Sequence, residues 1–356
     1  MFVLLNVIVV IVPLTMLVTI QYRRQKSFKQ SLVWLLRDFS GARFIWAKIF
    51  PQTAAKDQDP APTFLLWLVG IYIALFGIAA QRYETEIDKI ENRAHAVLSQ
   101  SFSADFKKAL HRVAAVQNLA CSCQPNLFNP VTVLHSLFFS NEIYQETVQL
   151  LKERIEDKKE VLNSINLENA RLEKAKLWDS NLQEANLQSA KLTGAKLLRA
   201  NLYKAKIMGA DLQEADLSGA LLHDSKLTEA NLRNAYLQEV KLSKASIDNA
   251  DLSFANLRKA DFSDATIDHS NLHHADLSQA ALVETLLVFA DLRESKLSDA
   301  DFSGAVFLKV DLRGAQGLTA EQLCRAKTLR ETLLDEELAE QVKQTCPQLL
   351  ERPDEL

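Results

Sequence analysis

The 356-residue chain carries none of the common sequence signatures of catalysis. It has no glycine-rich phosphate loop, no nucleophile elbow and no paired-histidine helix, so nucleotide binding, serine hydrolysis and metalloprotease chemistry lose their usual markers. Charge of one sign is also scarce: 41 basic residues against 45 acidic ones leave a net charge of −4, too little to mark a polyelectrolyte binder. There are only four cysteines. Cys121 and Cys123 have no histidine or further cysteine beside them, which is poor evidence for a metal centre. Cys324 and Cys346 bracket a C-terminal helical pair and would staple it in an oxidising compartment, one of the pairings that an even count permits. No composition feature implies a cofactor.

What is present is a ladder. Leu, Ile or Phe stands at every fifth position from Leu167 to Leu312, thirty consecutive units. Two residues before each of these centres lies a small residue, from Ala170 to Ala315, with Ser180, Ser225, Ser270, Ser295, Thr285, Val240 and Val310 replacing the usual Ala. Neither column contains a charge. In an α-helix a step of five residues rotates the side chain by roughly 140° and would smear the leucines around the axis. In a straight strand an odd period would throw successive leucines onto opposite faces. The chain must therefore turn once per repeat, and a short fixed period of this kind signals stacked units.

The local motifs are Ala200-Asn201-Leu202, Ala210-Asp211-Leu212, Ala215-Asp216-Leu217, Ala230-Asn231-Leu232, Ala250-Asp251-Leu252, Ala255-Asn256-Leu257, Ala275-Asp276-Leu277 and Ala300-Asp301-Phe302. They resemble the pentapeptide-repeat proteins, whose motif is A(D/N)LXX. The resemblance implies an all-β repeat domain, a right-handed quadrilateral β-helix with four repeats per coil and coils about 4.8 Å apart. The stacked apolar side chains would each contribute about 1.5–3 kcal/mol on burial.

Such a solenoid needs caps at both ends. At residue 317 the centre is Gly317, and Thr319 to Gln322 reads as a capping box opening a helix through Leu329. A second helix is expected near Asp335–Thr345. Upstream, Tyr144, Val148, Leu151, Ile155 and Leu162 follow helical spacing over Asn141–Leu162. A packing helix is the simpler reading, and a coiled-coil homodimer is the alternative.

The N-terminal region differs in kind. Phe2–Ile20 and Pro62–Ala80 are nearly continuous apolar runs, each long enough to be read as a membrane span. Between them Arg23, Arg24, Lys26, Lys29, Arg37, Arg43, Lys48 and Lys56 outnumber the acids, so the loop is expected on the cytoplasmic side. Its interleaved Trp34, Phe39, Phe44, Trp46 and Phe50 suggest an interfacial segment paired with anionic lipid. The expected organisation is a transmembrane hairpin at 1–80, a helical stalk and N-terminal cap at 81–162, the β-helix at 163–316 and a helical cap at 317–356. This makes a two-pass protein of a bacterial inner or comparable membrane, its repeats periplasmic or lumenal and the bilayer one of its partners.

Two surface features invite a functional reading. His269, His273 and His274 cluster on outward positions, and with no matching Cys or carboxylate a solvated face is expected rather than a ligand set. Val283, Leu286, Val288, Phe289, Val306 and Leu308 break the polar outward columns and form a patch, either covered by the C-terminal helices or open to a partner. Trp178, Leu198, Tyr203 and Met208 form a smaller set of the same kind. The expected role is a non-enzymatic scaffold that binds a protein. The alternatives are a nucleic-acid mimic acting on a DNA-binding enzyme such as gyrase, or an accessory subunit of a membrane transport or sensing complex. Residues 166–316 hold 22 acidic and 18 basic side chains, a poor imitation of a polyanion, so no nucleic-acid role is favoured.

Overall fold

The computed structural model describes residues 63–99, 112–140 and 142–350. They fall into two compact units: residues 63–90 with 120–140 and 142–144, and residues 91–99 with 112–119 and 145–350. In chain order the elements are α1 (Thr63–Ser99), α2 (Val113–Gln117), β1 (Ala120–Cys121), α3 (Pro130–Phe138), β2 (Glu142–Ile143), α4 (Gln145–Asp157) and a 3₁₀ turn (Lys159–Val161). The solenoid contains β3 (Ser246–Asp248), β4 (Thr266–Asp268), β5 (Leu286–Val288) and β6 (Val306–Leu308). Then come α5 (Ala320–Leu323), β7 (Thr328–Arg330), α6 (Glu336–Thr345) and a 3₁₀ turn (Pro347–Leu349).

The second unit is a β-solenoid. Isolated parallel bridges join the first residue of a pentad to its counterpart twenty later, from Asn166↔Asn186 to Lys296↔Gln316. Five-residue repeats and a twenty-residue period make four sides per coil. Most sides close locally as well: the N–H of Ala185 donates to Leu182 O at 3.0 Å, and the same step recurs as Ala200 to Leu197 and Ala275 to Leu272. The residue before the small one is forced to positive φ, as the third residue of a type II turn must be. Glu184 (φ 57°), Lys204 (56°) and Glu214 (58°) show that non-glycine residues accept this conformation throughout. The strain, of order 1–2 kcal/mol at each, is offset by the coil ladder and by core burial.

The two columns read from the sequence line the bore. Leu182, Leu202, Leu222, Phe262, Phe302 and the other centres are at most 1% exposed, and the small column from Ala170 to Val310 is at most 2% exposed. Phe302 and Phe307 meet edge to face at 5.2 Å. The Asp or Asn of the motif bends the chain: Asp211, Asn231, Asp251, Asn271, Asp291 and Asp311 each accept the backbone N–H two residues on, at 3.0–3.2 Å. This Asx turn is the physical reason for the D/N preference.

Side chains blunt both open edges of the coil ladder. At the first coil Gln117 donates to Arg171 O at 3.1 Å and accepts from its N–H at 2.8 Å, while Glu156 accepts Lys176 N–H at 2.8 Å. Leu151 and Ile155 of α4, with Val113 and Val116 of α2, join the same apolar core. At the last coil the buried Gln322 donates to Leu297 O and Ala300 O at 2.9 and 3.0 Å, inside a capping box with Thr319. Asp335, at the N-cap of α6, accepts Gly314 N–H at 3.0–3.1 Å. Cys324 and Cys346 form a disulfide with Cα atoms 5.8 Å apart. A loop of this size is worth about 3 kcal/mol in the chain-entropy picture.

Several expectations need correction. The helix opened by Thr319 stops at Leu323, and Leu329 lies instead in β7, in register with Phe307. The open edge of β6 offers unpaired backbone groups, and pairing with them outweighs local helix preference. The helix expected over Asn141–Leu162 begins only at Gln145 and gives way to the 3₁₀ turn, with Glu142–Ile143 paired to β1. The localisation is also overturned. Among the described residues no helix is long and apolar enough to cross a membrane, so a two-pass membrane protein is not supported. The bilayer partner and the assigned sidedness lose their basis with it. The apolar run of α1 with described side chains, Leu68–Ala80, is shorter than the about 20 residues a span requires, and the helix continues through Gln81, Arg82, Glu84 and Glu86. The expected first span at Phe2–Ile20 and the basic loop lie outside the described residues.

In the first unit, one face of α1 is bound by protein. Tyr72 donates to Leu127 O at 2.7 Å, and Ser136 of α3 donates to Ala79 O. Arg82 donates to Leu137 O and Ser140 Oγ and pairs with Glu86, which also accepts Ser122 N–H. Cys121 and Cys123 are buried free thiols. Burial, aided by the Glu142 carboxylate, pushes both above the usual thiol range, which makes them poor nucleophiles.

Candidate interaction surface

The five parallel strands β3 to β7 make one side of the solenoid into a continuous narrow sheet. Its outward residues are set by register. Leu286 pairs with Val306 and Val288 with Leu308. Below them lie Thr266 and Asp268, and above them Thr328 and Arg330. An apolar patch two coils deep therefore sits between polar rungs. Leu286 is 38% exposed and Phe289 45%, while Val288, Val306 and Leu308 are half-buried. Val283, also half-buried, lies on the preceding side, its carbonyl accepting Asp264 N–H at 3.0 Å. Val283 precedes the turn at Glu284 (φ 54°), and Leu286, Val288, Val306 and Leu308 run from there along the strand side to the corner at Phe289 (φ 51°).

That corner is a ladder of rings and charges. Residues twenty apart stack at the coil spacing, about 4.7–4.9 Å, which is also the separation of stacked aromatic rings. His269 and Phe289 lie 4.6 Å apart with planes inclined 21°. Lys309 Nζ sits 5.0 Å from the Phe289 centroid and pairs onward with Glu331 at 3.6 Å. The next corner repeats the theme with Arg233 over Phe254 at 5.2 Å, and Phe254 stacked on His274 at 4.9 Å. Trp178 is exposed beneath Lys159 Nζ at 4.5 Å, and Leu198, Tyr203 and Met208 are half-buried on the N-terminal coils.

The histidine cluster acquires a neighbour that sequence reading missed. Glu294, one coil above His274, places Oε2 3.4 Å from His274 Nε2. His273, His274 and Glu294 each offer a ligand atom, all within 4.8 Å of one another. Adding the coil period of twenty to 274 would have found the carboxylate. His269 instead bonds Asp268 at 2.6 Å. Nearby, Arg293 grips Asp291 through two bonds, and Arg313 grips Asp311 likewise. These guanidinium bonds hold both carboxyls below the ordinary aspartate range.

Comparison with known proteins agrees with this geometry. The family model for pentapeptide repeats matches in eight copies, covering 165–202, 185–224, 205–243, 215–253, 245–282 and 285–316. No curated protein matches the sequence. Among solved structures the chain is similar to HetL, a pentapeptide repeat protein involved in heterocyst differentiation regulation from the cyanobacterium Nostoc sp. strain PCC 7120, at 31% identity over 48% of this chain and 73% of that one, with a TM-score of 0.34. It is also similar to QnrB1, a plasmid-mediated fluoroquinolone resistance protein, at 17% identity over 52% of this chain and 91% of that one, with a TM-score of 0.26. A third is a pentapeptide repeat protein of the Arabidopsis thaliana thylakoid lumen, at 26% identity over 30% of this chain and 66% of that one, with a TM-score of 0.13. With its turns, core columns and repeat matches in agreement, the chain belongs to the pentapeptide-repeat family.

Proposed function

We propose that this protein is a non-catalytic scaffold whose solenoid binds a protein partner through the patch Val283, Leu286, Val288, Phe289, Val306 and Leu308. The observation that carries the reading is the exposure of Leu286 and Phe289 between polar rungs on an otherwise polar side. An apolar centre with a polar rim is the anatomy of a binding surface, and a few central side chains dominate such interfaces. The site is held by backbone pairing on both flanks, so binding meets a preorganised surface. The repeats present no acid, base and nucleophile converging on one cavity, and a rigid display surface is what their geometry favours.

A photo-crosslinking residue at Phe289, compared with one at Gln183, tests this in cells. Position 289 should capture one defined protein that position 183 does not, and Leu286→Ser should abolish the capture. Because Leu286 is exposed, the purified L286S protein should keep its stability within about 0.5 kcal/mol. Identical captures at both positions, or unfolding of L286S, would remove the reading.

A further inference from the structure

We infer that His273, His274 and Glu294 form a binding site for a divalent transition-metal ion of the zinc type. The three come from adjacent coils of one corner, and the fold fixes their backbones. His273 N–H is held by Asn271 at 3.1 Å in an Asx turn, His274 N–H by Arg293 O at 3.1 Å, and Glu294 N–H by Arg313 O at 3.2 Å. Two ligands bound at about 2.0–2.1 Å to one tetrahedral zinc stand about 3.3–3.5 Å apart. The His274 Nε2 to Glu294 Oε2 separation is 3.4 Å.

The surroundings leave the ligands available. The His273 and His274 rings lie 4.1 Å apart, with Phe254 stacked beneath His274 and edge-on to His273. His273 Nδ1 is buried with no hydrogen-bond partner, so the protein does not use that ring's full bonding capacity. Arg293, the cation beside Glu294 in sequence, is bidentate on Asp291. The rung above Glu294 is Gly314, where a Cβ would come within 3.2 Å of Glu294 Cγ. The corner thus reads upward as an aromatic platform, two imidazoles, one carboxylate and a rung without a side chain.

Two imidazoles and a carboxylate suit zinc, nickel or copper(II) better than calcium or magnesium. Three protein ligands leave a coordination position for water or for a side chain of another molecule. The site binds and bridges, and no bond-making step is required of it.

The test is calorimetric titration of the chelator-treated full chain with zinc chloride, repeated with cobalt chloride to record the visible bands of a tetrahedral site. The expected result is saturable binding of one ion per chain with those bands. His274→Asn and Glu294→Gln should each weaken it by about tenfold or more, whereas His269→Asn should leave it unchanged. Glu294→Gln keeps the side-chain volume, and far-ultraviolet dichroism of each variant verifies the solenoid. Absence of saturable binding to the wild-type chain, or wild-type affinity in both H274N and E294Q, would overturn the assignment.

Discussion

Two adjacent sides of the same solenoid solve the turning problem differently. On one, the column Asp211, Asn231, Asp251, Asn271, Asp291 and Asp311 bends six successive coils with an Asx turn. Asn231 and Asn271 also donate to the Asp one coil below at 3.0 and 3.1 Å, so alternating amide and carboxylate avoids a stack of like charges. Where Asp291 and Asp311 are consecutive, Arg293 and Arg313 supply the missing donors. On the other side Ser246, Thr266, Leu286 and Val306 take the place of the Asx, and the chain extends into β3 to β6. Its turn bonds change as well: the buried Ser270 hydroxyl accepts Ala250 N–H and donates to Ile247 O. Lack of an Asx acceptor permits the extended form without forcing it, since the coils at Lys206 and Lys226 still close on Ile207 O and Leu227 O. The richer content of Ile, Thr, Val and Phe in β3 to β6 tips the balance. A polar column that satisfies its own bonds keeps to itself, whereas a strand side is free to carry Leu286 and Phe289.

The comparison is broken most forcefully at what the two sides share, the core. Leu272 and Leu287 lie under the Asx and strand sides respectively, both fully buried. Leu272→Ala and Leu287→Ala should each destabilise by about 2–5 kcal/mol in denaturant unfolding, and a clearly milder loss for Leu287 would mean the strand side is the looser wall. A smaller effect separates the sides themselves. Asp251→Ala removes the acceptor of Ser253 N–H and of Asn271 and should cost about 1–2 kcal/mol, against about 0.5 kcal/mol or less for Thr266→Ala. The smallest effect is acid sensitivity. Because arginine holds the folded-state Asp291 and Asp311 below their ordinary range, their contribution is complete above the unfolded value of about 3.9 and lost as pH falls through the folded one. Arg293→Gln should flatten the acid limb of melting temperature against pH, while Thr266→Ala leaves its shape unchanged.

The core of the solenoid was legible because its columns are defined by spacing alone, and Leu167 to Leu312 are buried without a gap. The capping box at Thr319 was equally local. Leu329 was not, because its strand exists only through pairing with β6, an interaction between distant segments. Glu294 stayed hidden beside His274 for a related reason: proximity along a corner follows the coil period rather than sequence distance. The apolar run ending at Ala80 misled because hydropathy reports a desire for burial without saying what provides it.

In-register pairing by twenties also governs how length changes are tolerated. Loss of a whole coil's worth of residues would shorten the stack while every remaining face kept its orientation. Loss of a single pentad would preserve the bore yet swing all later side chains a quarter turn, carrying Phe289 and Glu294 to new bearings. Indels in multiples of five can therefore pass the test of foldability and still scramble recognition, so surface identity in this molecule is a matter of phase.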